Sequence, residues 1–346
     1  MRKTIFSIAA MASIIAGCAK PVESTKNDAE KKFFDSWILI NHPDAQKTTL
    51  GSYILESQEG SGSAAGTASQ NPHVRLNYTI RDLDGKVSST SDMKMAQQLG
   101  KYVESNYYGP QVMSRKEGTV ATGLEELLES MKVGGKMKAA VPGWLTGSKV
   151  YGSAEEYLRN ASGTNAIYEL ELVEAISDVK KWEVDSLVRY MQANYPEVNP
   201  ADTASTEEYN GKKYGFYYVL QKATDHPDST YTDGTRVYLN YTGRLLNGQV
   251  FDTTIEKTAK DAGIYSAGKT YAPTYVTWKN SYNDLTLGSS ESKVIDGFKF
   301  ALFRMKPHEK GTAIFYSAYG YEDSGSGEKI PAYSPLIFEF ELVDDK

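Results

Sequence analysis

Few residues in this chain have both the type and the company that chemistry needs. Its four histidines, His42, His73, His226 and His308, are scattered without the spacing of a metal or triad motif, and no glycine-rich phosphate loop is present. Metal and cofactor groups are therefore not expected, and hydride, phosphoryl or hydrolytic chemistry finds no support. The signal that remains is Phe251-Asp252, just after an Asn247-Gly248 turn. Such residues offer apolar walls carrying a few polar tips, and polar tips facing a core need partners.

The frame around that pair occurs twice. "LNYTGRLLNGQVFDTT" (239–254) echoes "LNYTIRDLDGKVSSTS" (76–91), and the copies stay in register without a gap over 74–110 and 237–273, with 16 of 37 positions identical. Asn77/Asn240, Tyr78/Tyr241, Gly85/Gly248, Tyr102/Tyr265, Tyr108/Tyr271 and Pro110/Pro273 are kept, yet Phe251-Asp252 is Ser88-Ser89 in the first copy.

The elements that must position these residues are duplicated with them. "HVRLNYTIRD" and "RVYLNYTGRL" alternate as strands ending at Asp-Gly or Asn-Gly turns, and "TNAIYELELVEAI" and "SPLIFEFELVDD" alternate at each copy's end. "TGLEELLESMKVGGK" and "DGFKFALFRMKPHEK" carry helical apolar spacing. Each copy is preceded by an amphipathic helix: one has Phe33, Phe34, Trp37 and Ile38 before Pro43, the other Val184, Leu187, Val188, Met191 and Tyr195 before Pro196. One helix against a curved antiparallel sheet, twice, is an α+β plan.

The chain has 346 residues and a net charge of −6, with no basic stripe, so no nucleic-acid partner is expected. Arg2 and Lys3 precede an apolar run from Ile5 to Ile15, too short to span a bilayer, and then Ala16-Gly17-Cys18. This resembles the signal and lipobox of bacterial lipoproteins, which implies lipidation at Cys18 and a membrane anchor. Ala19, not an acid, follows the cysteine, which leans towards the outer membrane, facing the periplasm. The organisation expected is a signal peptide (1–17), a lipidated tether (18–30), a helix with the first domain (31–178), a helix and linker (179–211) and the second domain (212–346).

The second copy resembles the FKBP-type peptidyl-prolyl cis-trans isomerases. Its "YTG" (241–243), "NGQVFD" (247–252), "LTLG" (285–288), "VIDG" (294–297), "FRMK" (303–306), "AYG" (318–320), "KIP" (329–331) and "LIFEFEL" (336–342) follow the family's order. The resemblance implies a half-barrel in each copy, an antiparallel sheet wrapped on one short helix. It also implies a proline pocket of Phe251, Val294, Ile295, Phe298, Ile330 and Phe338, although Val294, Ile295 and Phe338 would be core residues in any such sheet. By the same likeness Tyr241 holds Asp252 beside the rotating carbonyl, and Tyr319 donates to a substrate carbonyl; these three are the catalytic candidates. Three departures stand out. Phe298 replaces the family's usual tryptophan floor, Lys257 is the candidate for a missing arginine beside Asp252, and a Tyr-rich insert with Trp278 separates Asp252 from Leu287. That insert reads equally well as a binding flap or as a surface elaboration.

In the first copy the pocket chemistry is missing: Ser88-Ser89 stand for Phe-Asp, Leu124 for the floor and Leu145-Thr146-Gly147 for Ala-Tyr-Gly. The reading is a membrane-anchored folding factor for cell-envelope proteins, acting on proline-containing segments of secreted or outer-membrane proteins. Its second domain would be catalytic, and its first would bind or space. The alternative is a non-catalytic chaperone or scaffold lipoprotein built from two such modules. The N-terminal helices are candidates for a homodimer contact.

Overall fold

The computed structural model describes residues 26–198 and 215–344, together with the backbone of a short hairpin at 208–209 and 212–213. Cys18, the expected leader (1–17) and most of the expected tether (18–30) lie outside the described residues. Each copy of the repeat builds its own antiparallel sheet, seven-stranded in the first and eight-stranded in the second. The repeated strand is the hub of each. His73–Arg81 pairs with the copy's last strand Ala166–Ile176, and Arg236–Leu245 pairs with Leu336–Val343. Both hubs also pair with a short strand after the glycine turn, and both hairpins carry a register shift at the same place, Ile80/Arg81 and Gly243/Arg244. The turn glycines Gly85 and Gly248 share a φ of 88°, a conformation that costs glycine nothing. The fold class is thus α+β, two tandem half-barrels.

Period-2 alternation puts Val237, Leu239, Tyr241, Gly243 and Leu245 on one face of the second hub. A short helix, Asp296–Leu302, closes that face with Phe298, Ala301 and Leu302 buried; Thr122–Glu129 does the same in the first copy with Leu127 and Leu128. Among the described residues no helix is long and apolar enough to cross a membrane.

The preceding helices dock as parts of these cores. Asp28–Asn41 starts inside the segment expected to be tether and buries Phe34 and Ile38. Phe33, placed in the apolar stripe by sequence, faces solvent instead, as do Leu39 and Ile40. Val179–Asn194 buries Leu187 and Met191 in the second core. Glu183 shares their face one turn earlier, is 2% exposed, and accepts hydrogen bonds from the Ser317 N–H (2.6 Å) and Oγ–H (2.8 Å). The second domain's helix is thereby tied to the short 3-10 turn Ser317–Tyr319.

Burial pushes the Glu183 carboxyl up to about 7, against the two Ser317 hydrogen bonds that favour its charged form. A carboxyl raised from 4.5 in this way binds its proton more tightly folded than unfolded. Its contribution is full below the unfolded value and is lost as pH rises towards 7, a swing of about 3 kcal/mol. Urea unfolding at pH 4.5 to 7.5 should show this loss, and Glu183→Gln should flatten that part of the profile.

Candidate active site

The second hub strand and its hairpin partner place Tyr241 beside Asp252, and the Tyr241 hydroxyl donates to Asp252 Oδ2 at 2.7 Å. Burial, then the Asp252 charge, raises the Tyr241 phenol far above its ordinary value, so it remains a donor. The other carboxylate oxygen, Oδ1, is paired with Lys269 Nζ and also accepts the Thr253 N–H at 2.9 Å. Asp252 is therefore held from both sides. Lys257, the candidate named from sequence, is turned away and pairs with Asp261 four residues on along its own helix. Lys269 belongs to the insert, whose stacked Tyr265 and Tyr271 rings (5.3 Å) form a compact flap, with the Lys269 ammonium 5.5 Å from the Tyr271 ring centre. The insert thus reaches the site as a flap.

The apolar part is a nest of rings. Phe298 lies edge-on to Tyr241 (5.3 Å), Phe338 (5.4 Å) and Phe340 (4.8 Å), and Phe251 lies edge-on to Phe338 (5.6 Å). These are the T-shaped arrangements that aromatic quadrupoles favour. Ile330 is buried, and Val294 and Ile295, half-buried, lead into the helix that carries Phe298.

Tyr319 is not placed as expected. It is built into the core at 1% exposure, its ring 5.6 Å from Phe216, 5.9 Å from Phe300 and 6.0 Å from Tyr316. Phe300 is two residues from Phe298, and so on the other side of the short helix. The tyrosine that joins the Tyr241–Asp252 pair is Tyr321, which the sequence reading missed. It is half-buried, its phenol is pushed up by burial and then by the Asp252 charge, and it in turn raises Tyr241. The missed signal is the second tyrosine of Tyr319-Gly320-Tyr321, one alternation further on.

In the first domain the same geometry is filled differently. A Cβ at Gly243 would stand 2.5 Å from the Phe251 ring and 3.0 Å from that of Phe338. The residue in this register in the first copy is Ile80, opposite Ser89, and Ser88 and Ser89 are exposed, with Ser88 Oγ donating to the Ile80 carbonyl at 3.1 Å. Leu145 is fully buried and the Thr146 hydroxyl donates back to Gly143. The two copies also meet. The Tyr107 N–H donates to the Glu328 carbonyl (2.7 Å), Gln249 Nε2 donates to the Asn106 carbonyl (3.0 Å), and His73 Nε2 lies 3.1 Å from the Tyr333 hydroxyl.

The histidines correct one further expectation. His226 and His308, 82 residues apart in sequence, come together in space with ring centres 5.0 Å apart.

Residues 228–343 match the family model FKBP-type peptidyl-prolyl cis-trans isomerase. A curated relative, human peptidyl-prolyl cis-trans isomerase FKBP4, is 30% identical over 113 residues, 33% of this chain, and the aligned part spans only 19% of that protein's length. Among solved structures, the three FKBP domains of wheat FKBP73 overlap 85% of this chain and 94% of that one at 18% identity and a TM-score of 0.25. A peptidyl-prolyl cis-trans isomerase from Pseudomonas syringae pv. tomato overlaps 48% and 92% at 22% identity and a TM-score of 0.29. At such TM-scores nothing transfers residue by residue. The chain carries an FKBP-type domain, and that domain holds the Tyr241–Asp252 site.

Gly243→Ala should cost about 1–3 kcal/mol in chemical denaturation, because the added methyl collides with two buried rings, Phe251 and Phe338. Adding Phe251→Leu to Gly243→Ala should recover part of the loss; simple additivity of the two would show that they do not share the space.

Proposed function

We propose that the second domain catalyses cis–trans isomerisation of X–Pro bonds, and that the chain works as a membrane-anchored folding factor whose first domain binds or spaces without catalysing. The observation that carries this reading is a doubly held carboxylate, Asp252, at the rim of a nest of aromatic rings. Turning an X–Pro amide meets a barrier of ~18–20 kcal/mol, and the twisted state has lost resonance and much of the carbonyl's charge separation. A dry apolar wall favours the twisted amide over the planar one, which is stabilised by water. Phe251, Phe298, Phe338 and Ile330 supply that wall. Tyr241 and Lys269 fix the Asp252 carboxylate beside the rotating carbonyl, and Tyr321 is the donor positioned to hold a substrate carbonyl. In the first domain exposed Ser88 and Ser89 bring hydration to the corresponding rim, and Ile80 takes the place that makes room for Phe251.

The test is a protease-coupled proline-peptide assay on the full chain. Asp252→Ala should lower kcat/KM about 10- to 100-fold, the loss expected for hydrogen bonds to a charged group. Tyr321→Phe should cost roughly 5-fold, as for one neutral hydrogen bond, and Tyr319→Phe should change the rate by less than about 2-fold. Because one domain is assigned all the turnover, Asp252→Ala with Tyr241→Phe should leave no measurable catalysis. Wild-type rates in that double variant would take catalysis away from this site, and no turnover by the unaltered chain would favour the scaffold alternative.

The anchor is checked separately. Cys18→Ser should release the protein from membranes or block its processing, since several acyl chains hold a protein where one does not. Unchanged membrane fractionation of the variant would dismiss the lipid anchor.

A further inference from the structure

We propose that Asp225, His226 and His308 form a binding site for one divalent transition ion of the zinc or nickel type, with Asp344 orienting the His308 ring. The site lies at the end of the second sheet away from the Asp252 hairpin turn. There the loop after Phe216–Lys222, the turn before Lys310–Phe315 and the end of Leu336–Val343 converge.

The donor atoms of Asp225, His226 and His308 all lie within 4.8 Å of one another. Asp225 Oδ1 is 2.7 Å from His308 Nδ1 and 3.6 Å from His226 Nε2. Ligand atoms on a tetrahedral ion with bonds of ~2.0–2.1 Å sit roughly 3.4 Å apart, so these separations bracket the value required. On the far side of the ring, His308 Nε2 is 2.8 Å from Asp344 Oδ1. Asp344 holds the Nε2 proton, so an ion that displaces the Nδ1 proton, now shared with Asp225 Oδ1, takes Nδ1 as its ligand atom with the ring already oriented. This carboxylate–histidine–metal arrangement is the usual support of a histidine ligand. Two imidazoles and one carboxylate suit zinc or nickel and disfavour magnesium or calcium, which take oxygen ligands.

Two further observations show a built site. The turn holding His308 is clasped by the Lys306 N–H donating to Glu309 Oε2 at 2.9 Å, and Lys306 Nζ donates to the Pro227 carbonyl at 2.8 Å, joining the two ligand-bearing loops. His308 also has a φ of 61°, where L-residues are uncommon, and its counterpart in the first copy's Met-Lys-x-x turn is Gly134 with φ 83°. The repeat asks for glycine at this turn, and the second copy spends that position on an imidazole between two carboxylates. Asp225 and His226 are exposed and His308 is partly so, which leaves a fourth position on the ion open to water. Three protein ligands with an open fourth position describe an accessible ion.

The test is calorimetric titration of Zn2+ and Ni2+ into the full chain, stripped with chelator and carrying Cys18→Ser so that no thiol takes part. One saturable equivalent and a rise in Tm are expected, with neither from Mg2+. His308→Gly should keep the metal-free Tm at or above wild type, because it restores the turn's glycine, while abolishing the metal response. His226→Gln should weaken binding at least 10-fold and leave the His308 bridges intact. Asp344→Asn should weaken it about 10- to 100-fold, as loss of an orienting carboxylate does. Absence of saturable Zn2+ or Ni2+ binding, or one equivalent that persists unchanged in both histidine variants, overturns the site.

Discussion

At Gly243 the second hub strand carries no side chain, and the Phe251 ring lies so close that a single methyl would meet it at 2.5 Å. The ring-lined rim depends on this close approach. It lets Phe251 turn inward from a neighbouring strand and lie against Phe338, whose ring in turn touches Phe298 and stacks on Phe315. The next residue of the hairpin, Asp252, then falls on the opposite side of its strand from Phe251, at the rim and beside the Tyr241 hydroxyl. In the first domain Ile80 stands in that register and the aromatic partner is absent, so the sheet closes with the same pairing and the same bulge but without a ring-lined rim. A pocket and a packed core differ here by which of two neighbouring positions holds the bulk.

The carboxylate needs more than its strand. One oxygen takes the Tyr241 hydroxyl and the other takes the Lys269 ammonium, delivered by a flap that the sequence inserts 17 residues later. Asp252 and Lys269 are each about two-fifths exposed, so water screens the pair and its worth lies in geometry more than in binding energy. A lysine ammonium is a point charge, whereas an arginine would fork across both oxygens; with Lys269 on Oδ1, Oδ2 is left to Tyr241.

Much of this was legible in the residues. Period-2 alternation gave the hub strands and their inward faces, the Asn-Gly and Asp-Gly turns gave the hairpins, and the gapless repeat gave the duplicated plan. What escaped depended on distance in space. Lys257 was nearer in sequence to Asp252 than Lys269, but helix Glu256–Asp261 points it along its own axis to Asp261. Tyr319 and Tyr321 differ by one alternation, and nothing local says which will face Phe300 and which Asp252. Glu183 sits on the apolar stripe at the spacing of Leu187 and Met191, but its burial required a partner, Ser317, that only the folded chain supplies. The two histidines had no spacing to read because 82 residues, including most of the sheet, separate them.

The duplicated flap also finds an explanation in the way the copies meet. Both flaps stack their tyrosines at 5.3 Å and repeat a backbone-to-hydroxyl bond, Val103 N–H to Tyr108 and Ser266 N–H to Tyr271. The second flap supplies Lys269 to Asp252. The first supplies Asn106 and Tyr107 to the second domain, at Gln249 in the hairpin turn before Phe251 and at Glu328 just before Ile330. Both places border the ring-lined site. The flap by which the first domain touches the second is the part of the first copy in which Tyr102, Tyr108 and Pro110 match Tyr265, Tyr271 and Pro273, although Ser88-Ser89 stand where the second copy has Phe251-Asp252.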